Sequence, residues 1–83
     1  MNKDEKVREA QEILNWVIMN LNANINCKVT DYKHESYRVQ FFTKENKLIM
    51  PTEIPEEWVK ESNPKENFIH DQLKTLLRNL EKY

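Results

Sequence analysis

The strongest periodic signal lies near the start of the chain. Val7, Ala10, Ile13, Leu14, Val17, Ile18 and Leu21 recur at spacings of three and four, which puts them on one stripe of an amphipathic helix over residues 3–22. Asn2 stands where an N-cap belongs, with Glu5 three residues on and Asp4 beside it to complement the positive helix end. The helix should stop in Asn22-Ala23-Asn24, because asparagine tolerates the left-handed backbone that glycine usually supplies, and this chain contains no glycine.

The period then changes from three and four to two. Residues 25–33 (INCKVTDYK) and 36–43 (SYRVQFFT) alternate, with Ile25, Cys27 and Val29 on one face and Tyr37, Val39 and Phe41 on one face, as in two strands of a hairpin. If both apolar sets face the same core, paired residue numbers must sum to an even value. That condition asks for an odd loop such as His34-Glu35-Ser36, since a two-residue loop would turn one strand inside out. A second turn, Lys44-Glu45-Asn46-Lys47, leads to Leu48-Ile49-Met50. Pro51 lacks a backbone donor and marks this third strand as an edge. The expected sheet is a three-stranded antiparallel meander with Leu48 and Met50 inward beside Phe41 and Val39.

After the strands, Pro55 to Lys60 reads as one short helical turn opened by proline. Asn63-Pro64-Lys65-Glu66 then supplies an N-cap, a proline at the first helical position and a glutamate at the third. The last helix should run from Pro64 to about Glu81 with Ile69, Leu73, Leu76, Leu77 and Leu80 as its buried stripe. The fold class is therefore α+β, in the order α-β-β-β-(short α)-α. With both long helices on one sheet face, the core encloses Ile13, Leu14, Val17, Ile18, Val29, Val39, Phe41, Leu73, Leu76 and Leu77. With helices on opposite faces, Tyr32, Phe42 and Ile49 would be buried instead.

Length limits this architecture to one core: 83 residues make a single domain, 1–83. Thirteen basic and fourteen acidic residues leave a net charge of −1, so no global field draws nucleic acid or anionic lipid. The charged N-terminus and the lack of a long apolar run point away from a secretion signal or membrane span, and one cysteine forms no internal disulfide. The expected compartment is the cytoplasm.

Catalytic ingredients are sparse. Cys27 falls on the apolar face of a strand, where a thiol is inert. His34-Glu35 and His70-Asp71 are adjacent pairs whose side chains diverge, which makes poor metal ligands. Without glycine there is no phosphate-cradling loop, and Ser36 and Ser62 sit in no nucleophile motif. The expectation is a non-enzyme without metal or cofactor.

Binding is better represented, because some apolar residues stand outside the core stripes. At 100° per residue, Trp16 lies about 130° from the centre of the first helix's buried stripe and Met19 nearly opposite it. The outward sheet face should carry Lys28, Thr30, Tyr32, Arg38, Gln40, Phe42, Ile49 and Glu53. Two readings follow. In the first, the chain is a protein-interaction module, or a homodimer, that uses Trp16 and Met19 or the Tyr32/Phe42/Ile49 face. In the second, which the charge balance does not favour, Lys28, Tyr32, Arg38 and Phe42 bind RNA or single-stranded nucleic acid, bases stacking on rings. There Glu53 should partly neutralise Arg38.

The α-β-β-β-α order resembles that of double-stranded RNA-binding domains in element order alone. In that family the last helix opens with a lysine cluster near glycines, whereas this chain has Pro64-Lys65-Glu66-Asn67 and no glycine. Order without that site does not carry the function over.

Overall fold

A computed structural model describes residues 2–60 and 71–82. In chain order these form α1 (Lys3–Leu21), β1 (Ile25–Lys33), β2 (Ser36–Thr43), β3 (Leu48–Pro55), α2 (Glu56–Lys60) and α3 (Asp71–Leu80). This is the expected α+β succession, with the strands in sheet order β1-β2-β3, all antiparallel. The expected opening of the last helix at Pro64, with Ile69 on its stripe, lies outside the described residues.

Both ends of α1 are built as its sequence specifies. The Asn2 side chain accepts the Glu5 N–H at 2.9 Å. Asn22 takes the left-handed conformation (φ 52°, ψ 36°). Its N–H bonds the Met19 carbonyl at 3.2 Å and the Ala23 N–H bonds the Ile18 carbonyl at 3.1 Å, the paired closure that satisfies the orphan carbonyls of a helix C-terminus. Arg78 of α3 adds a cation there, donating to the Leu21 carbonyl at 2.9 Å.

One core joins the helices to the sheet. Ala10, Leu14 and Val17 of α1 meet Ile25, Val29, Val39, Phe41 and Ile54 of the sheet, with Val59, Leu73, Leu77 and Leu80 closing over them. The described helices share this face, so the opposite-face arrangement does not occur. On the other face Lys28, Arg38, Leu48, Pro51 and Glu53 are exposed and Gln40 and Phe42 half-buried.

The first hairpin loop is one residue shorter than expected, the second spans residues 44–47 as expected, and each hairpin carries a strand bulge. Lys33 pairs with Ser36, so the first loop holds His34 and Glu35 alone, both at positive φ (53° and 59°), the geometry of a type I′ turn. Pairs near this loop sum to odd numbers, Tyr32 with Tyr37 and Asp31 with Arg38, until the register shifts between Val29 and Asp31. Beyond it Val29 meets Val39 and Cys27 meets Phe41, the even sums that the core requires. In the second hairpin the Thr43 N–H bonds the Lys47 carbonyl at 2.8 Å, closing a turn over Lys44, Glu45 and Asn46, with Asn46 at φ 65°. Phe42 pairs with Leu48 and Phe41 with Met50, leaving Ile49 as the extra residue.

These bulges move side chains between faces. Tyr32 does not join the outward face: it pairs with buried Tyr37, their ring centroids 4.9 Å apart, and packs against the core. Ile49 likewise packs against the core, and Leu48, expected inward, sits outward beside Phe42. The third strand also runs on to Pro55, which ends β3 instead of opening α2.

Candidate functional site

Of the apolar residues expected to stand outside the core, Trp16 and Met19 do so on α1 and Phe42 lies on the outward sheet face, whereas Tyr32 and Ile49 pack against the core. Trp16 exposes 38% of its surface and Met19 73%, on the solvent side of α1; the Trp16 carbonyl accepts from the Asn20 side chain at 2.8 Å. Below Met19, a groove of about 550 Å³ runs between the end of α1 and the sheet, lined by Asn15, Asn22, Asn24, Asn26 and Lys44 among others. Asn26 pairs with Phe42, and Phe42 with Leu48, which is 53% exposed. Of the sheet candidates, Phe42 stays on the outward face next to the groove-lining Asn26, with Leu48 beside it in place of Tyr32 and Ile49.

The nucleic-acid set is dispersed by the same geometry. Lys28 and Arg38 do lie on the outward face, opposite Gln40 and Glu53. Arg38 stands 3.6 Å from Glu53, the neutralisation expected. With Tyr32 turned inward, Phe42 is the aromatic ring of the set that stays on that face.

Sequence reasoning missed Gln11. Its carboxamide accepts the Val29 N–H at 2.7 Å and donates to the Cys27 carbonyl at 3.1 Å, so one side chain pairs with the outer edge of β1 as a neighbouring strand would. Its position on the flank of the helix stripe was legible; the strand edge it meets was not.

The opposite end is ionic. Lys6 of α1 forms a salt bridge and hydrogen bond with Glu56 of α2, lies 5.2 Å from the centre of the Tyr32 ring, and is held above the ordinary lysine value by that hydrogen bond. Glu56 is buried and is held below the ordinary carboxylate value, first by Lys6 and then by the Tyr32 hydroxyl. Burial pushes Tyr32 and Tyr37 upward. The Glu56 N–H donates to the Glu35 carbonyl at 2.9 Å, tying α2 to the hairpin tip, and Lys3 bridges to Asp31 at 2.9 Å, which lowers the Asp31 carboxyl.

None of these shifts arms a nucleophile. A reactive lysine or tyrosine needs a lowered value, and here Lys6, Tyr32 and Tyr37 are raised. Burial pushes the Cys27 thiol up to about 11, against the lowering effect of Gln11, so it remains protonated near neutrality. Among the described residues no group of three or more His, Cys, Asp or Glu is placed to hold a metal; His70 lies outside them. No described helix is long and apolar enough to cross a membrane.

No protein-family model, curated protein or solved structure matches this chain at a significant level.

Proposed function

We propose that this chain is a small protein-interaction module without catalytic activity of its own, and that its contact surface is the end of the fold bearing Met19, Phe42 and Leu48. The observation that carries this reading is the exposure of two large apolar residues, Met19 at 73% and Leu48 at 53%, with a groove lined by four asparagines beside Met19. Trp16, three residues before Met19 on the same helix, extends the apolar area, and methionine and tryptophan are enriched at protein interfaces. The inward turn of Tyr32 favours a protein partner over nucleic acid, since base stacking on the sheet needs a platform of rings. The cytoplasm is the proposed compartment: a single protonated cysteine fits reducing surroundings.

Size-exclusion chromatography with light scattering over about a hundredfold concentration range tests whether the contact is with a second copy. A dimer that dissociates in Met19→Glu or Leu48→Glu assigns the surface to self-association. A monomer throughout directs the test to a partner retained by the native chain and lost by the same variants. Association that neither substitution alters would overturn the proposal.

A further inference from the structure

Resting on that reading, we infer that the groove beside Met19 recognises an extended peptide through its backbone, as a short strand added to the start of β1, with an acidic residue placed at Lys44. Three observations carry this.

First, the chain already contains the chemistry. A carboxamide presents a donor and an acceptor toward one side, as the N–H and carbonyl of one extended residue do, and Gln11 uses both on β1, accepting the Val29 N–H and donating to the Cys27 carbonyl. That contact shows which edge of β1 faces outward. By the two-residue alternation of a strand, Ile25 turns its own N–H and carbonyl to the same side as Cys27 and Val29.

Second, among the described residues the side-chain sealing of this edge stops at Gln11, and the groove begins there. Asn15, one helical turn after Gln11 and bonded to it at 3.0 Å, lines it on the α1 side; Asn24 and Asn26, the neighbours of Ile25, line it on the strand side. An extended segment entering along Ile25 meets carboxamides capable of the two-point pairing that Gln11 makes, and the side chains of the segment that point toward α1 meet Met19. Strand addition draws affinity from main-chain hydrogen bonds and specificity from such alternate side-chain contacts.

Third, Lys44 is the charged residue of the lining, and its ammonium is held by a neutral group, the Asn26 amide oxygen at 3.4 Å. An incoming carboxylate is therefore the complementary charge. The volume, about 550 Å³, lies in the range of small-ligand sites, about 300–1,000 Å³, which suits a few residues of extended chain and not a folded surface.

The test is a selection of phage-displayed random dodecapeptides on the full chain, followed by titration of a synthetic selected peptide into the isotopically labelled protein. The expected outcome is enrichment of sequences with Asp or Glu at a recurrent position. Bound peptide should shift the Ile25 and Cys27 amides and the Asn24 and Asn26 side-chain amides, and binding should weaken about tenfold or more in Lys44→Glu, the loss expected when a charge-assisted hydrogen bond is removed. Lys44 is an exposed turn residue, so an unchanged amide spectrum elsewhere shows that the variant is folded. Peptides that bind the native chain and Lys44→Glu equally, or whose shifts centre on Phe42 and Leu48 away from Ile25, overturn the groove assignment while the interaction-module reading stands. Failure of the library to enrich any sequence overturns it as well and does not touch the dimer and partner tests above.

Discussion

The two ends of this fold are finished by different chemistry. At the hairpin-tip end, Lys6, Glu56, Tyr32 and the Glu35 carbonyl lock α1, α2 and the β1–β2 turn together through paired charges and hydrogen bonds. At the other end four of the ten asparagines, Asn15, Asn22, Asn24 and Asn26, line a groove beside Met19, and Met19 and Leu48 are exposed. A buried charge requires a fixed partner, because solvent no longer stabilises it. An amide is neutral, can donate and accept, and stays hydrated at small cost until something replaces the water. One end locks its own elements together with paired charges, and the other is the end proposed to hold another chain.

Four outcomes test that contrast. The largest belongs to neither end: Phe41→Ala, in the fully buried centre of the sheet, should lower unfolding free energy by about 3–5 kcal/mol and melt both ends together in a single transition. Two separate transitions by denaturant titration would show that the ends are independent units.

Next come the charges. Glu56→Gln leaves Lys6 without its counter-charge, and equilibrium unfolding should show a clear loss at neutral pH, whereas Lys6→Met with Glu56→Leu should recover much of it. The pH dependence follows from the shifts. Glu56 titrates below its ordinary value of 4.5 in the folded chain, so its contribution is present above 4.5 and disappears as pH falls through the lowered value. Lys6 titrates above its ordinary 10.5, so its contribution is complete below 10.5 and disappears as pH rises through the raised value. A native chain no more sensitive to acid than Glu56→Gln would remove the ionic lock from the account.

A smaller effect tests the hairpin tip. His34 and Glu35 hold positive φ without the residues that favour it, and replacing them by Asn and Gly should stabilise the fold by about 1 kcal/mol. The Glu35 carbonyl that anchors α2 is kept by the glycine. Smallest of all, Met19→Glu and Leu48→Glu should change stability by less than about 0.5 kcal/mol, their effect confined to association. A large loss of monomer stability in either would make that residue part of the core and erase the difference between the ends.

Local and periodic features were legible from the sequence alone: α1 with its Asn2 and Asn22 caps, three strands, the inward set Val29, Val39 and Phe41, and the position of Trp16 and Met19 off the core stripe. These depend on hydrogen bonds and side-chain directions within a few residues, which spacing encodes directly. The exposure of Trp16 was decided only by the packing. Parity along the strands was also legible, and its answer for the middle of the sheet was right. How parity is met was decided only in three dimensions. The first loop lost one residue and each hairpin gained a bulge, at Thr30 and Ile49, because a tight turn twists with its strands while the core fixes only the distant pairs. Residues between turn and bulge therefore changed face, taking Tyr32 and Ile49 out of the expected outward patch and bringing Leu48 into it. Gln11 on β1, Lys6 with Glu56, and Met19 beside a groove that reaches Asn26 and Lys44 join residues far apart in the chain. No spacing rule connects them, since they are neighbours only after the core has packed.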